Sequence, residues 1–180
     1  IGVRFRLPAS TNQVEYFGRG PAENYLDRNA GSMIGLYKST AEELYFPYVR
    51  PQENGHHTDT RWVSLSTGKK GLLIQADNTI GFNALRNSIE DFDDEEATGL
   101  PRQWSNFTPE QVANHDEAAA KSVLRRQHHI NDITPRDFVE VCVDLKQQGV
   151  AGYDSWGSRP EPAYTLPANR EYNWGFTLIP

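Results

Sequence analysis

The chain has 180 residues, a length that suits one domain. Hydrophobic residues make up only 37%, but aromatics reach 11%, more than a disordered chain carries and enough to fill one core. The formal net charge of −6 leaves no electrostatic footprint for nucleic acid or an anionic membrane surface. A single cysteine excludes an intramolecular disulfide framework and a Cys-based zinc site, and no apolar run approaches the ~20 residues of a membrane helix. The first residues read as strand rather than as a basic-plus-apolar signal segment. The compartment, cytoplasm or periplasm, is left open.

Ile1, Val3, Phe5 and Leu7 alternate with polar or small residues, the pattern of a half-buried strand. A chain that opens inside a strand is expected to be a piece of something longer, whose preceding part pairs with or covers that strand. Val14–Phe17 is a short strand running into a Gly18-Arg19-Gly20-Pro21 turn. Trp62–Ser66 and Gly71–Ala76 flank a tight turn at Thr67-Gly68 and read as a hairpin. Residues 90–96 are acidic at six of seven positions and are expected to be a solvated loop, since the ligand spacing of a calcium loop is absent. Thr108-Pro109-Glu110-Gln111 is a capping box with Pro at the first helical position, which predicts one surface helix over 109–127. It makes Thr108 a cap rather than part of a glycosylated Asn106-Phe107-Thr108 acceptor. Phe138–Leu145 alternates with Val139, Val141, Val143 and Leu145 on one face, and Tyr172–Ile179 places Tyr172, Trp174, Phe176 and Leu178 together. Several short strands at this spacing, without strand–helix alternation, predict an all-β antiparallel sandwich in a single domain spanning 1–180.

Four clusters could carry chemistry. Gly18–Arg28 lacks phosphate-loop spacing and reads as a rigid turn whose Arg19, Glu23, Asp27 and Arg28 pair with one another or with a neighbouring domain. Pro47–Trp62 holds a turn at Pro51 and Asn54-Gly55, two carboxylates in Glu53 and Asp59, and Arg61, read as a structural ion pair with Asp59 stacked on Trp62. The pairs His56-His57 and His128-His129 are poor chelators, because neighbouring side chains on a strand point to opposite faces, and Cys142 reads as a packed thiol. The fourth cluster, Gly149–Ser158, sets Trp156 in a glycine-rich loop. It is either a core indole or an exposed aromatic plate on which a sugar could stack its C–H face, with Asp154 and Ser155 holding the loop or bonding hydroxyls.

Three of these segments, Gly18–Arg28, Pro47–Trp62 and Gly152–Gly157, resemble in content and order the C-terminal small-chain domain of bacterial β-galactosidases of glycoside hydrolase family 2. The resemblance implies part of a galactose-mutarotase-like supersandwich. It implies a retaining hydrolase of terminal β-galactosides such as lactose, whose two catalytic Glu lie in a separate (β/α)₈ barrel, so no catalytic residue is expected in this chain. It further implies magnesium bound elsewhere in the full-length enzyme, other domains of the same enzyme as partners, and a homo-oligomer. Trp156 matches the family's aromatic that stacks on the aglycone sugar, and with Tyr153 and Asp154 it forms the expected substrate-binding set. Two rival readings are a stand-alone carbohydrate-binding module and a mutarotase-like epimerase, which needs a His/Glu acid–base pair in one pocket.

Overall fold

The computed structural model describes residues 1–49, 51–92, 130, 133–154 and 156–180. The chain divides into two compact units, one formed by residues 1–46, 54–87 and 135–180 and the other by residues 47–53 and 88–134. The expected helix over 109–127, its Thr108 cap and the His128-His129 pair fall outside the described residues.

The first unit holds seven strands: β1 (Gly2–Pro8), β2 (Gln13–Gly20), β3 (Met33–Thr40), β4 (His57–Ser66), β5 (Gly71–Leu85), β6 (Phe138–Asp144) and β7 (Phe176–Ile179). They form one antiparallel sheet in the order β1-β6-β5-β4-β2-β3, with β7 pairing β5 beside that path. The fold is all-β and antiparallel, as expected of a sandwich layer, and the described strand order does not close into a barrel. Among the described residues no helix is long and apolar enough to cross a membrane.

The sheet is built on β5. Its first half pairs with the end of β4 on one edge and with β7 on the other, through Leu73↔Ile179 to Ala76↔Phe176. Its second half pairs with the start of β4 and with β6, through Gly81↔Asp144 to Leu85↔Glu140. Register shifts between His57 and Trp62 let β4 follow this long strand around its bend. Asp77 and Asn78, poor strand formers, lie where β5 passes from one partner to the other.

Alternation places the core. Val14 and Tyr16 of β2, Val63 and Leu65 of β4, Ile74, Phe82 and Ala84 of β5, and Val139, Val141 and Val143 of β6 are buried. Burying a large aliphatic or aromatic side chain fully is worth about 1.5–3 kcal/mol each. Ile80–Leu85 and Val139–Asp144 are buried at every position, so both faces are covered there, and the second face carries buried polar groups, Asn83, Glu140 and Asp144, beside Leu85 and Cys142. Arg4 and Arg6 of β1 reach Glu140 at 3.5 Å and 2.9 Å, neutralising that carboxylate.

Several boundaries differ from the sequence reading. β2 continues through Gly18 and Gly20, so the expected turn begins later. β3 was not anticipated, and β7 begins at Phe176 rather than Tyr172. In the second unit, the described part of the acidic run is not simply solvated. Ile89–Asp91 is a short 3₁₀ turn in which buried Asp91 accepts the Ser88 backbone N–H at 3.0 Å.

Candidate functional site

The segment after β2 folds back over the polar face of the sheet. Asn24, fully buried, makes this possible by satisfying four partners. Its side-chain oxygen accepts from the Thr58 amide (3.0 Å) and hydroxyl (2.6 Å), and its amide group donates to the Arg19 and Ala22 carbonyls at 3.2 Å and 3.1 Å. Its backbone N–H donates to the His56 carbonyl at 2.7 Å. Glu23 accepts the Gly55 N–H at 2.7 Å and pairs with Arg28 at 3.0 Å. Tyr25 stacks on His56 with ring centroids 5.6 Å apart. Gly18–Arg28 and the part of the second motif from Asn54 onward are therefore one hydrogen-bonded support.

The ion pairing differs from expectation. Asp59 pairs with Arg19, not Arg61, while Arg61 donates to the Asp59 backbone carbonyl at 2.7 Å and lies over Phe17 rather than Trp62. Arg19 also donates to the Ser32 carbonyl at 2.8 Å. The bend at residue 59 explains the change: Asp59 has a φ of 52°, which turns its side chain out of the regular strand alternation.

The two histidines do face opposite ways. His57 packs with Tyr16 and Phe82, centroids 4.8 Å and 5.2 Å away, whereas His56 packs on Tyr25 and places Nδ1 2.7 Å from the Asn83 side-chain oxygen. His57 Nδ1 lies 3.1 Å from the Arg19 carbonyl, which can only accept, so this nitrogen carries the proton. Burial lowers both rings to a pKa of about 4, against the usual 6.5. His56 and Asp59 border one shallow depression with Thr58, Gly81 and Lys146. Within it Asp59 is paired with Arg19 and His56 is tied to Asn83.

The Gly149–Ser158 loop stands on this support. Trp156 is 93% exposed and lies outside the core of this chain. Asp154 shapes the loop from within: its carboxylate accepts the Trp156 N–H at 2.8 Å and the Ser158 N–H at 3.3 Å, an Asx turn. Tyr153, also exposed, takes its backbone bond from its N–H to the Ser158 hydroxyl at 3.0 Å. Gly152 and Gly157 both have φ near +80°, a conformation L side chains avoid, and nothing lies within 4 Å of a Cβ at either position. The indole is thus hinged on two glycines with open space beside it.

From outside, the loop is held by Asp27. Its two carboxylate oxygens accept the Val150 and Ala151 N–H groups at 3.0 Å and 2.8 Å, and the Tyr153 hydroxyl lies 3.4 Å away. The sequence reading placed Asp27 among paired charges of its own turn. Its partners lie more than 120 residues away, and only its place in a shared motif could have singled it out. Asp154 bonds the Trp156 N–H within this loop, and Tyr153 adjoins it in sequence.

Chemically, this arrangement offers a flat apolar plate with a polar rim, suited to the C–H face of a pyranose. Among the described residues no cluster of three or more His, Cys, Asp or Glu gathers as a metal site would require.

A family model described as beta galactosidase small chain matches residues 1–178. The chain is similar to a beta-galactosidase of Priestia megaterium, 34% identical over 181 residues that cover all of this chain and 14% of that protein. It is also similar to a beta-galactosidase of Vibrio cholerae serotype O1, 28% identical over 99% of this chain and 14% of that protein. With a beta-galactosidase of Arthrobacter sp. (strain B7) it shares 40% identity over 97 residues, 51% of this chain and 10% of that protein. The chain spans about a seventh of the length of the full-chain relatives it matches.

Proposed function

The chain belongs to the beta-galactosidase small chain family, and from that premise we propose that it works as one domain of an enzyme hydrolysing terminal β-galactosides such as lactose. In this reading the domain supplies scaffold and one wall of the site. The two catalytic carboxyls of a retaining mechanism stand about 5 Å apart and belong to another part of the enzyme. Magnesium, implied for the whole enzyme by the family resemblance, has no ligand assigned in this chain.

The single observation that carries this reading is the exposure of Trp156, 93%, on a loop whose backbone is bonded from two sides. The indole is open to solvent in this chain, and two carboxylates, Asp27 and Asp154, hold the loop that carries it. Stacked against the leaving-group sugar, the indole orients the glycosidic bond before cleavage and seats the acceptor afterwards. Tyr153 and the loop's polar atoms would flank that sugar. Aromatic stacking in a partly desolvated site is worth about 1 kcal/mol beyond its area, a several-fold effect on KM.

The test is Trp156→Ala in the full-length enzyme. KM for lactose should rise by about fivefold, and more than KM for a nitrophenyl galactoside. Equal effects on both substrates, or none, would remove the sugar-stacking role.

A further inference from the structure

We propose that Asp27 is the positioning residue for Trp156, so that the Gly18–Arg28 motif sets aglycone selectivity at a distance. The inference rests on the sugar-stacking reading above for its functional half. Its structural half stands alone.

The geometry is specific. Oδ1 of Asp27 accepts from Val150 N–H and Oδ2 from Ala151 N–H, consecutive amides caught by one carboxylate. Charge-assisted bonds of this kind are roughly twice as strong as neutral ones. They hold a backbone that would otherwise relax: Ala151 has a φ of 54°, and Gly152 follows at 82°. A non-glycine residue in the left-handed region is strained and persists only where its surroundings enforce it. The Tyr153 hydroxyl, 3.4 Å from the same carboxylate, adds a third tie from the far side of the turn. Gly149 admits the carboxylate at all, since a Cβ there would clash with Asp27 Oδ2. Its own N–H is bonded to the Tyr164 carbonyl at 2.7 Å, so it cannot easily retreat.

Asp27 is itself fixed. It lies between Tyr25 and Arg28, which exchange backbone bonds with each other, in a segment fastened to the sheet through Asn24. The path from sheet to indole is thus short and continuous: Thr58 and His56, Asn24, the Tyr25–Arg28 turn, Asp27, Ala151, and the glycine-hinged Trp156.

The test uses the full-length enzyme with Asp27→Asn, which keeps the volume but turns one acceptor into a donor facing an amide N–H. Gly149→Ala serves as the second variant, displacing the carboxylate without removing it. Hydrogen exchange across residues 149–153 should accelerate about tenfold in both, the scale of a lost charge-assisted bond, with β6 unchanged. KM for lactose should rise more than KM for a nitrophenyl galactoside, and combining Asp27→Asn with Trp156→Ala should add nothing to Trp156→Ala. Exchange unchanged at 149–153, or accelerated in β6 as well, overturns the positioning role. So does a lactose effect that adds to that of Trp156→Ala. If exchange accelerates locally but neither Asp27→Asn nor Trp156→Ala moves lactose KM, the clamp stands and the sugar-stacking reading falls.

Discussion

His56 and His57 show how a sequence neighbour can be a structural stranger. One ring lies against Tyr25 and Asn83, the other against Tyr16 and Phe82, and both are held neutral by burial with pKa values of about 4. Between about pH 4 and 6.5 the unfolded chain binds protons that the folded chain refuses. Stability is therefore full above about pH 6.5 and is lost as pH falls toward 4, by roughly 3 kcal/mol for one such ring. Asp144, whose carboxyl burial raises, titrates in the opposite sense, so a His56→Gln, His57→Gln double variant is the control. Denaturant titrations at about pH 7.5, 5.5 and 4.5 should show a declining midpoint in the parent and a flatter trend in the double variant. A midpoint in the parent that does not fall with pH would show that the rings are not buried neutral. Arg61 teaches a related lesson: adjacency to Asp59 suggested an ion pair, but the bend at Asp59 gave the carboxylate to Arg19 instead.

Among the elements, β5 carries the fold. Ile74 is fully buried and opposes Val63 on one side and Leu178 on the other. Ile74→Ala should cost about 2–5 kcal/mol, read as a lower denaturant midpoint at constant slope. Leu36→Ala on edge strand β3, where the side chain is 59% exposed, should stay within about 0.5 kcal/mol. A comparable loss at both positions would contradict the assigned core. Strands that alternate over a half-buried face were legible: β1, the β4–β5 hairpin and β6 fall where periodicity put them. β3 was not, because Met33, Ile34 and Leu36 are exposed on an edge and Gly35 breaks the apolar pattern. The second half of β5 was hidden behind Asp77 and Asn78. Tyr172 and Trp174 continue the alternation of β7, but pairing with β5 begins only at Phe176. In the site, composition marked the glycine-rich loop but left its indole open between core and surface, and the family resemblance favoured the surface. The Asp27 anchor was not, since no local pattern encodes a bond across more than 120 residues.

For the whole molecule, the family assignment and the chain's share of its relatives set the expectation. A domain that contributes one wall of an active site should not catalyse alone. The purified chain should show no turnover of a nitrophenyl galactoside above background, because both the nucleophile and the acid/base are needed for cleavage. Turnover that survives repurification and tracks with the chain would contradict the proposed division of labour. The same logic separates this reading from a stand-alone binding module, which would bind galactosides unaided. The claim at the centre of the account is that Trp156 seats the sugar that leaves and the sugar that accepts. The most direct measurement is the partition of the galactosyl-enzyme between water and added glucose in the full-length enzyme, compared with its Trp156→Ala variant. The account predicts that the transfer-to-hydrolysis ratio at fixed glucose falls by about fivefold, in line with the loss of one stacking contact. An unchanged ratio would contradict it.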